Sequence, residues 1–296
     1  MNFRKQCRAD KIFDVVNCII MVISIAIFIY PLIYIVSASL SSAESLWAGE
    51  LWLFPKEFSL AAYQKVFENS DIWLGYKNTI ILTLVGTSTN LVLTVMAAYP
   101  LSNRNFMLRT PLTVLYMITM FFNGGLIPTF LVVQDLHLLD SIWALILPNA
   151  VAFSNILIVR TYFQGTIPSE LREAAWIDGC RHIRYLMSVV LPLSLPVLAV
   201  MALFYGVAHW NSYFGAVIYI TDRNKYPLQM FLREILIKVD MSKMVMPNSA
   251  AVNESVMLME TVKYAVIVVA SLPVLMMYPF VQKYFVKGVM IGAVKG

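Results

Sequence analysis

Residues 173–179 read Glu-Ala-Ala-Trp-Ile-Asp-Gly, and Leu-Pro-Leu follows at residues 191–193. This polar segment favours a helix and lies between two apolar runs of membrane length. Ser169 is placed to cap a short helix that starts at Glu170, and Gly179 is suited to end it. Periodicity alone leaves two interpretations open: a helix that inserts into a cleft on another protein, or a solvated loop at the membrane surface.

The predicted helix has one face of small and apolar side chains at spacings of three and four residues. That face comprises Leu171, Ala174, Ala175 and Asp178. Two neighbouring alanines allow the backbone of a partner to approach closely, which suits a helix that inserts into a cleft on another protein.

The composition indicates a membrane-embedded protein. Of the 296 residues, 59% are hydrophobic and 13% are charged, and the mean hydropathy is +0.73, whereas soluble domains carry about 25% charged residues. The formal net charge of +5 does not indicate a nucleic-acid partner, because the basic residues flank apolar runs without interleaved aromatics.

Six segments have the roughly 20 apolar residues needed to cross a bilayer. The predicted spans are 12–36, 78–100, 111–134, 142–163, 189–211 and 262–282. The first apolar run is longer than the core of a signal peptide, so we expect an uncleaved anchor. The chain is therefore predicted to be an all-α, polytopic membrane protein with six transmembrane helices, forming one transmembrane domain over residues 1–296.

The distribution of Lys and Arg predicts the orientation of the spans. Basic residues precede span one, lie between spans two and three, and follow spans four and six. They are Arg4, Lys5, Arg8, Lys11, Arg104, Arg109, Arg172, Arg181, Arg184, Lys283, Lys287 and Lys295. These sides are predicted to face the cytoplasm, with both termini, while residues 37–77 and 135–141 lie outside. Segment 164–188 is then cytoplasmic and segment 212–261 is outside.

Glycines and prolines interrupt four of the predicted spans. They fall at Asn123-Gly124-Gly125 with Pro128, at Pro148, at Pro192 with Pro196, and at Pro273 with Pro279. Broken helices at membrane depth survive only against protein or a water-filled cavity, while simple packing kinks are the alternative for each site.

The outer segment 212–261 contains apolar residues at helical spacing. They are Leu228, Phe231, Leu232, Ile235, Leu236 and Val239. The pattern predicts an amphipathic helix, and a helix lying on the membrane surface is the alternative to one that packs on protein.

Several kinds of chemistry are not indicated. The sequence holds no Gly-x-x-x-x-Gly-Lys-Ser/Thr phosphate loop and no acidic or basic residue in the middle of a predicted span. His137, His182 and His209 are scattered without metal-ligand spacing. We expect no catalytic residue, no metal and no cofactor in this chain.

The 173–179 motif, with Leu191-Pro192 a dozen residues later, resembles the EAA loop of binding-protein-dependent ABC importer permeases. The resemblance implies the type I ABC importer permease fold, with the loop forming a coupling helix that docks on an ATPase. The matching positions are Glu173, Ala174, Ala175, Asp178 and Gly179. Cys180 and Leu186 depart from the usual alanine and phenylalanine.

Two further stretches, Phe122–Pro128 and His209–Phe214, resemble the carbohydrate branch of these permeases, which includes maltose-type and alginate-type importers. Aromatic faces beside neutral polar groups suit a polyhydroxylated ligand, although membrane-interface aromatics are an equal alternative. The candidate substrate-path residues are Asn123, Trp210, Asn211 and Tyr213.

The resemblance implies a bacterial cytoplasmic (inner) membrane protein that passes an oligosaccharide inward. Its partners would be a second, homologous permease subunit, a dimer of ATP-binding subunits that bind ATP and Mg²⁺, and an extracytoplasmic solute-binding protein, which Asn248–Glu254 would approach. Membrane lipid is a further expected partner, and nucleic acid is not. The alternatives are a permease for peptides or amino acids, and an ion-coupled secondary transporter.

Overall fold

A computed structural model describes residues 8–244 and 250–293 of the chain. Within these residues the structure is mainly helical and has no β-strand, apart from one antiparallel bridge between Ser41 and Phe58. The predicted all-α fold is confirmed. Asn248–Glu254 is the segment predicted to approach a binding protein. Its residues 248 and 249 lie outside the described residues, as do the side chains of residues 250–254.

The α-helices of the described ranges are, in chain order, α1 Arg8–Ser39, α2 Ala43–Trp47, α3 Ala61–Glu68, α4 Ser70–Ser102, α5 Arg109–Phe121, α6 Leu126–Asp135, α7 Ile142–Ile146, α8 Phe153–Thr166, α9 Ser169–Ile177, α10 His182–Tyr185, α11 Leu191–Leu193, α12 Leu195–Trp210, α13 Phe214–Tyr219, α14 Leu228–Met244 and α15 Ala250–Ala293. Short 3₁₀ turns cover Leu147–Asn149 and Arg223–Lys225, and a π-helical turn covers Leu186–Val190.

Three helices are long and apolar enough to cross a membrane unbroken: α1, α4 and the Met257–Met277 part of α15. Three bent pairs bring the number of candidate spans to six, as predicted. They are α5 with α6, α7 with α8, and the α10–α11 segment with α12, bent by 117°, 61° and 82° respectively.

The interruptions predicted in spans three, four and five are confirmed as breaks. In span three, Gly125 has φ 86°, a left-handed conformation that suits glycine. Span six differs, because α15 runs through Pro273 and Pro279 without a break. A proline removes one helical hydrogen bond, and a membrane helix tolerates that loss where neighbouring groups compensate.

The chain divides into two compact units. One comprises Met1–Ser70 and Leu232–Ser271, and the other comprises Asp71–Phe231 and Leu272–Gly296. The prediction of a single transmembrane domain over residues 1–296 is not tested by this division and stays a prediction.

In the first unit, α1 exposes its apolar side chains along most of its length, and a serine-rich turn follows it. The hydroxyl of Ser37 donates to the carbonyl of Leu53 at 2.6 Å, and the hydroxyls of Ser39 and Tyr63 lie 2.8 Å apart. These bonds hold the predicted outer segment against the end of α1.

In the second unit, α4 packs against α12 along a buried polar seam. The hydroxyls of Thr94 and Tyr205 are 2.7 Å apart, and Asn90 lies 3.2 Å from the Nε2 atom of His209. Gly86 lets the imidazole approach, since a Cβ at that position would be 2.5 Å from Nε2. Side-chain hydrogen bonds and small residues are the usual means by which helices associate in a membrane, where lipid competes for apolar contacts.

Two apolar clusters complete the second unit. The first contains Leu101, Ile156, Val159 and Met201, all almost fully buried, and the second contains Leu82, Ile146 and Ala216. The first cluster lies beneath α9, and Ala175 packs against it. The position of α9 is therefore set by the protein core and not only by its chain connections.

The amphipathic stretch of segment 212–261 forms α14, as predicted. Its residues Leu228, Phe231 and Leu232 are 0%, 2% and 7% exposed. The Phe231 ring contacts Tyr226 and lies 5.1 Å from the guanidinium carbon of Arg223. The first part of α14 is thus covered by protein, which the membrane-surface alternative does not allow.

Candidate functional site

The segment 164–188 folds around the nine-residue helix α9. The helix starts at Ser169, one residue earlier than predicted, and Pro168 occupies the N-cap position without a side-chain hydrogen bond. The predicted capping role of Ser169 is therefore wrong. The extended backbone of Pro168, with φ −60° and ψ 145°, starts the helix at the next residue instead.

The end of α9 is closed as predicted by Gly179. Gly179 has φ 74°, its N–H donates to the carbonyl of Trp176 at 3.0 Å, and the N–H of Cys180 donates to the carbonyl of Ala175 at 2.8 Å. These two bonds form a Schellman motif, in which a left-handed glycine satisfies the last helical carbonyls. The helix is thus a short, defined unit.

Four of the five predicted docking residues are exposed on the isolated chain: Glu173, Ala174, Asp178 and Gly179. Ala175 differs from the other four because it is partly buried against the core cluster. The predicted common face is therefore divided between solvent and core. Ile177, which is 86% exposed, was not among the predicted docking residues, because a single isoleucine at the polar end of the helix was its only signal.

The inner side of α9 is fastened through Arg172. Its Nη1 atom donates to the Oδ1 atom of Asn103 at 2.8 Å, and its guanidinium carbon lies 5.3 Å from the centre of the Trp176 ring. The Trp176 ring in turn meets His182 edge-on at 5.6 Å. In the sequence, Arg172 indicated only the orientation of the chain. Its bond to Asn103 was not predicted, since Asn103 lies 69 residues away.

A cavity of about 970 Å³ opens beside α9. Its lining includes Asn103, Arg104, Glu170, Arg172 and His182. Both the start of α9 and the connection between α4 and α5 line this cavity, and the hydrogen bond between Arg172 and Asn103 joins these two segments.

The candidate substrate-path residues lie in different surroundings. Trp210 is 6% exposed and packs against Tyr76 at 6.1 Å between ring centres, whereas Tyr213 is 46% exposed. Asn211 is exposed and its Nδ2 atom donates to the carbonyl of Val207 at 3.0 Å. Asn123 is exposed at the break between α5 and α6, where its Oδ1 atom accepts the N–H of Gly125.

The structure brings together only part of this set. Trp210, Asn211 and Tyr213 are consecutive or nearly so at the end of α12, while no hydrogen bond or ring contact within the described residues joins Asn123 to them. Trp210 acts as a packing residue in this conformation. The role of all four in a substrate path remains a prediction.

A clamp on the predicted outer side was not anticipated from the sequence. The carboxylate of Asp140 accepts hydrogen bonds from the hydroxyl and N–H of Thr221 and from the N–H of Asp222. These bonds, with a smaller contribution from Lys225, lower the pKa of Asp140 to about 2. The clamp joins the turn before α7 to the segment after α13.

The chain matches a family model described as "Binding-protein-dependent transport system inner membrane component" over residues 90–291. It is 41% identical over 292 residues to a polygalacturonan/rhamnogalacturonan transport system permease protein, YtcP, of Bacillus subtilis, covering 97% of this chain and 99% of that protein. It is 43% identical over 289 residues to the protein LplC of the same organism, covering 98% of this chain and 97% of LplC.

A solved structure has the same fold. It is described as a bacterial ABC transporter involved in the import of the acidic polysaccharide alginate, and one of its chains is 34% identical to this one. The TM-score is 0.85, with 95% of this chain and 99% of that chain covered. The likeness therefore extends well beyond the 173–179 motif.

Proposed function

This chain belongs to the family of binding-protein-dependent transport system inner membrane components, and we propose that it is the permease subunit of an ATP-driven importer that passes an oligosaccharide into the cell. The observation that carries the proposal is the 41% identity, over nearly the whole chain, with a polygalacturonan/rhamnogalacturonan permease.

The cargo that we propose is an oligosaccharide containing uronic acid residues. Two relatives support this choice, since one is named for polygalacturonan and rhamnogalacturonan and the solved structure for alginate, all acidic polysaccharides. A relative with 28% identity is named for arabinooligosaccharides. These names favour sugar over the alternatives of peptides, amino acids or ion-coupled transport.

The energy for transport is proposed to come from partner ATP-binding subunits. The exposed residues Glu173, Ala174, Asp178 and Gly179 would dock with Ile177 in a groove of an ATP-binding subunit, while Ala175 holds the helix to the core. Closure of two such subunits on ATP would move α9 as a rigid lever. ATP and Mg²⁺ would be bound by those subunits and not by this chain.

The remaining partners follow from the same proposal. A second, homologous permease subunit would enclose the path together with this one, and an extracytoplasmic solute-binding protein would deliver the sugar. The chain would lie in the bacterial cytoplasmic membrane with both termini inside, so that α9 faces the compartment that contains ATP. The distribution of Lys and Arg supports this orientation.

The proposal is tested by reconstituting the chain in proteoliposomes with the permease, ATPase and binding-protein candidates encoded by neighbouring genes. ATP hydrolysis and uptake are measured with oligogalacturonides, alginate oligomers, maltooligosaccharides and short peptides. We expect stimulation by at least one acidic oligosaccharide and none by peptides. Uptake by this chain alone on an ion gradient, or stimulation by peptides only, would reject the proposal.

A further inference from the structure

Three hydrogen bonds tie the predicted cytoplasmic end of α4 to the segments around α9. The carbonyl of Ser102 accepts from the Nε2 atom of Gln164 in α8 at 3.0 Å. The Oδ1 atom of Asn103 accepts from Arg172 in α9 at 2.8 Å, and the hydroxyl of Tyr99 donates to the carbonyl of His182 in α10 at 3.4 Å. The bond from Arg172 is the one that reaches α9 itself.

The bond between Arg172 and Asn103 is short, assisted by charge and held at both ends. The Oδ1 atom of Asn103 also accepts the N–H of Asn105 at 3.1 Å, which fixes the direction of the amide. The guanidinium of Arg172 rests over Trp176, and its Nε atom is buried without a hydrogen-bond partner in the described part of the chain. Charge-assisted bonds of this kind are about twice as strong as neutral ones.

The chain connections of α9 lead to α8 and α10 and not to α4. Pro168 joins α9 to α8, and Gly179 leads from α9 toward α10 and, further along, α12. Movement passed along the backbone would therefore reach spans four and five. Asn103, by contrast, is the first residue after α4 in the connection to α5, and the hydrogen bond from Arg172 opens a direct route to spans two and three.

We infer that Arg172 is a positioning residue that transmits the movement of α9 to α4 and α5 through Asn103. The inference rests on the proposed function, because it concerns how docking of an ATPase on α9 reaches the remaining spans. A purely structural role is the alternative. Two other features hold α9 in its fold, the packing of Ala175 on the core and the Schellman motif at Gly179, so loss of the Arg172 bond should leave the docking surface in place.

The test compares four changes in the complete reconstituted complex: Arg172→Met, Asn103→Leu, their combination, and Asn103→Asp. Methionine keeps an apolar stem of similar length over Trp176, leucine removes the acceptor, and aspartate keeps an oxygen that accepts from both Arg172 and Asn105. Two quantities are measured for each variant: ATP hydrolysed per sugar imported, and the amount of ATPase subunit that purifies with the permease.

We expect Arg172→Met and Asn103→Leu each to raise the ATP cost per imported sugar by about tenfold or more, the scale of one charge-assisted hydrogen bond. The ATPase subunit should be retained in normal amount. The double variant should be no worse than either single change, because both remove the same link. Asn103→Asp should behave like the unaltered complex.

Failure of this inference and failure of the proposed function would give different results. A normal ATP-to-sugar ratio in both single variants, or loss of the ATPase subunit from either complex, would overturn the transmitting role of Arg172 and leave the proposed function standing. An unaltered complex that hydrolyses ATP without any response to oligosaccharide would reject the proposed function, and the inference with it.

Discussion

The carboxylate of Asp140 accepts two hydrogen bonds from Thr221, one from the hydroxyl and one from the backbone N–H, each at 2.6 Å. The N–H of Asp140 donates in return to the carbonyl of Tyr219 at 2.9 Å. Asp140 has φ 56°, a left-handed conformation that Asp and Asn tolerate better than other residues with a Cβ. One side chain thus fastens two connections that lie 81 residues apart and that are both predicted to be outside.

Asp140→Asn is expected to lower the Tm of the detergent-solubilised chain by a few degrees at pH 7, because the amide keeps only one acceptor oxygen and no charge. The native pKa of about 2 is below the ordinary value of 3.8. The stability from this carboxylate is therefore fully present above about pH 4 and is lost as pH falls toward 2. The difference in Tm between the two proteins should shrink over that range.

The matched control for Asp140 is Asp135→Asn. Asp135 is an exposed acid at the end of α6, and its carboxylate makes no hydrogen bond or ion pair within the described residues. We expect its Tm to stay within about a degree of the unaltered protein. Equal losses for both substitutions would mean that the Asp140 clamp does not stabilise the fold.

Gly179→Val is expected to impair transport because α9 needs a left-handed residue at its end. The position has φ 74°, and open space surrounds it, so the cost is backbone strain of about 1–2 kcal/mol and not a clash. Gly179→Asn is the matched control, since asparagine accepts this conformation. Uptake in proteoliposomes should fall for valine and persist for asparagine; similar uptake by the two variants would contradict the role of the turn.

Glu173→Arg reverses an exposed charge in the middle of α9 without touching the core. If the docking proposal holds, the variant inserts in the membrane normally but loses ATP-driven uptake. Glu170→Arg serves as the control for a charge reversal in the first turn of the same helix. Normal uptake by Glu173→Arg, measured beside its membrane abundance, would remove Glu173 from the docking surface.

The sequence was sufficient for the features that depend on local patterns. Runs of apolar residues gave six spans, and the glycines and proline near Asn123 marked the sharp bend between α5 and α6. Gly179 was identified as the end of α9 because left-handed closure favours glycine. Ser169 failed as a cap since the preceding Pro168 sets the backbone that starts the helix.

The features that depend on contacts between distant residues could not be predicted from one sequence. In the sequence, Arg172 is one basic residue among those predicted to be cytoplasmic, and Asp140 is one acid in a loop. Their partners Asn103 and Thr221 are known only from the fold. Trp210 resembles a sugar-stacking residue in sequence, yet its ring is buried against Tyr76. Whether an aromatic side chain is buried depends on how the helices pack, so the residue type alone does not reveal it.

Trp210 and Tyr213 should therefore respond differently to truncation. Trp210→Ala opens a cavity in a packed site and is expected to cost about 3–5 kcal/mol of stability, seen as a lower Tm and lower abundance. Tyr213→Ala removes a half-exposed ring and should leave the Tm nearly unchanged. If Tyr213 lines the sugar path, its variant raises the sugar concentration needed for half-maximal uptake; unchanged uptake kinetics would exclude it from that path.

Gly86→Ala tests the close approach of α4 to α12. The added Cβ would lie 2.5 Å from the Nε2 atom of His209, and that buried ring also holds Asn90. We expect overpacking to cost about 1–3 kcal/mol and to lower the Tm. Gly165→Ala is the control, because a Cβ there meets nothing within 4 Å.

The combination of Gly86→Ala with His209→Ala separates crowding from a general intolerance of alanine in α4. Removing the imidazole makes room for the new methyl group, so the double variant should be more stable than the sum of the two single losses predicts. Thermal unfolding of the four proteins in the same detergent gives this coupling directly. Strictly additive losses would show that the Gly86 and His209 side of the seam is not tightly packed, and the apposition of α4 and α12 would then depend on the bond between Thr94 and Tyr205 instead.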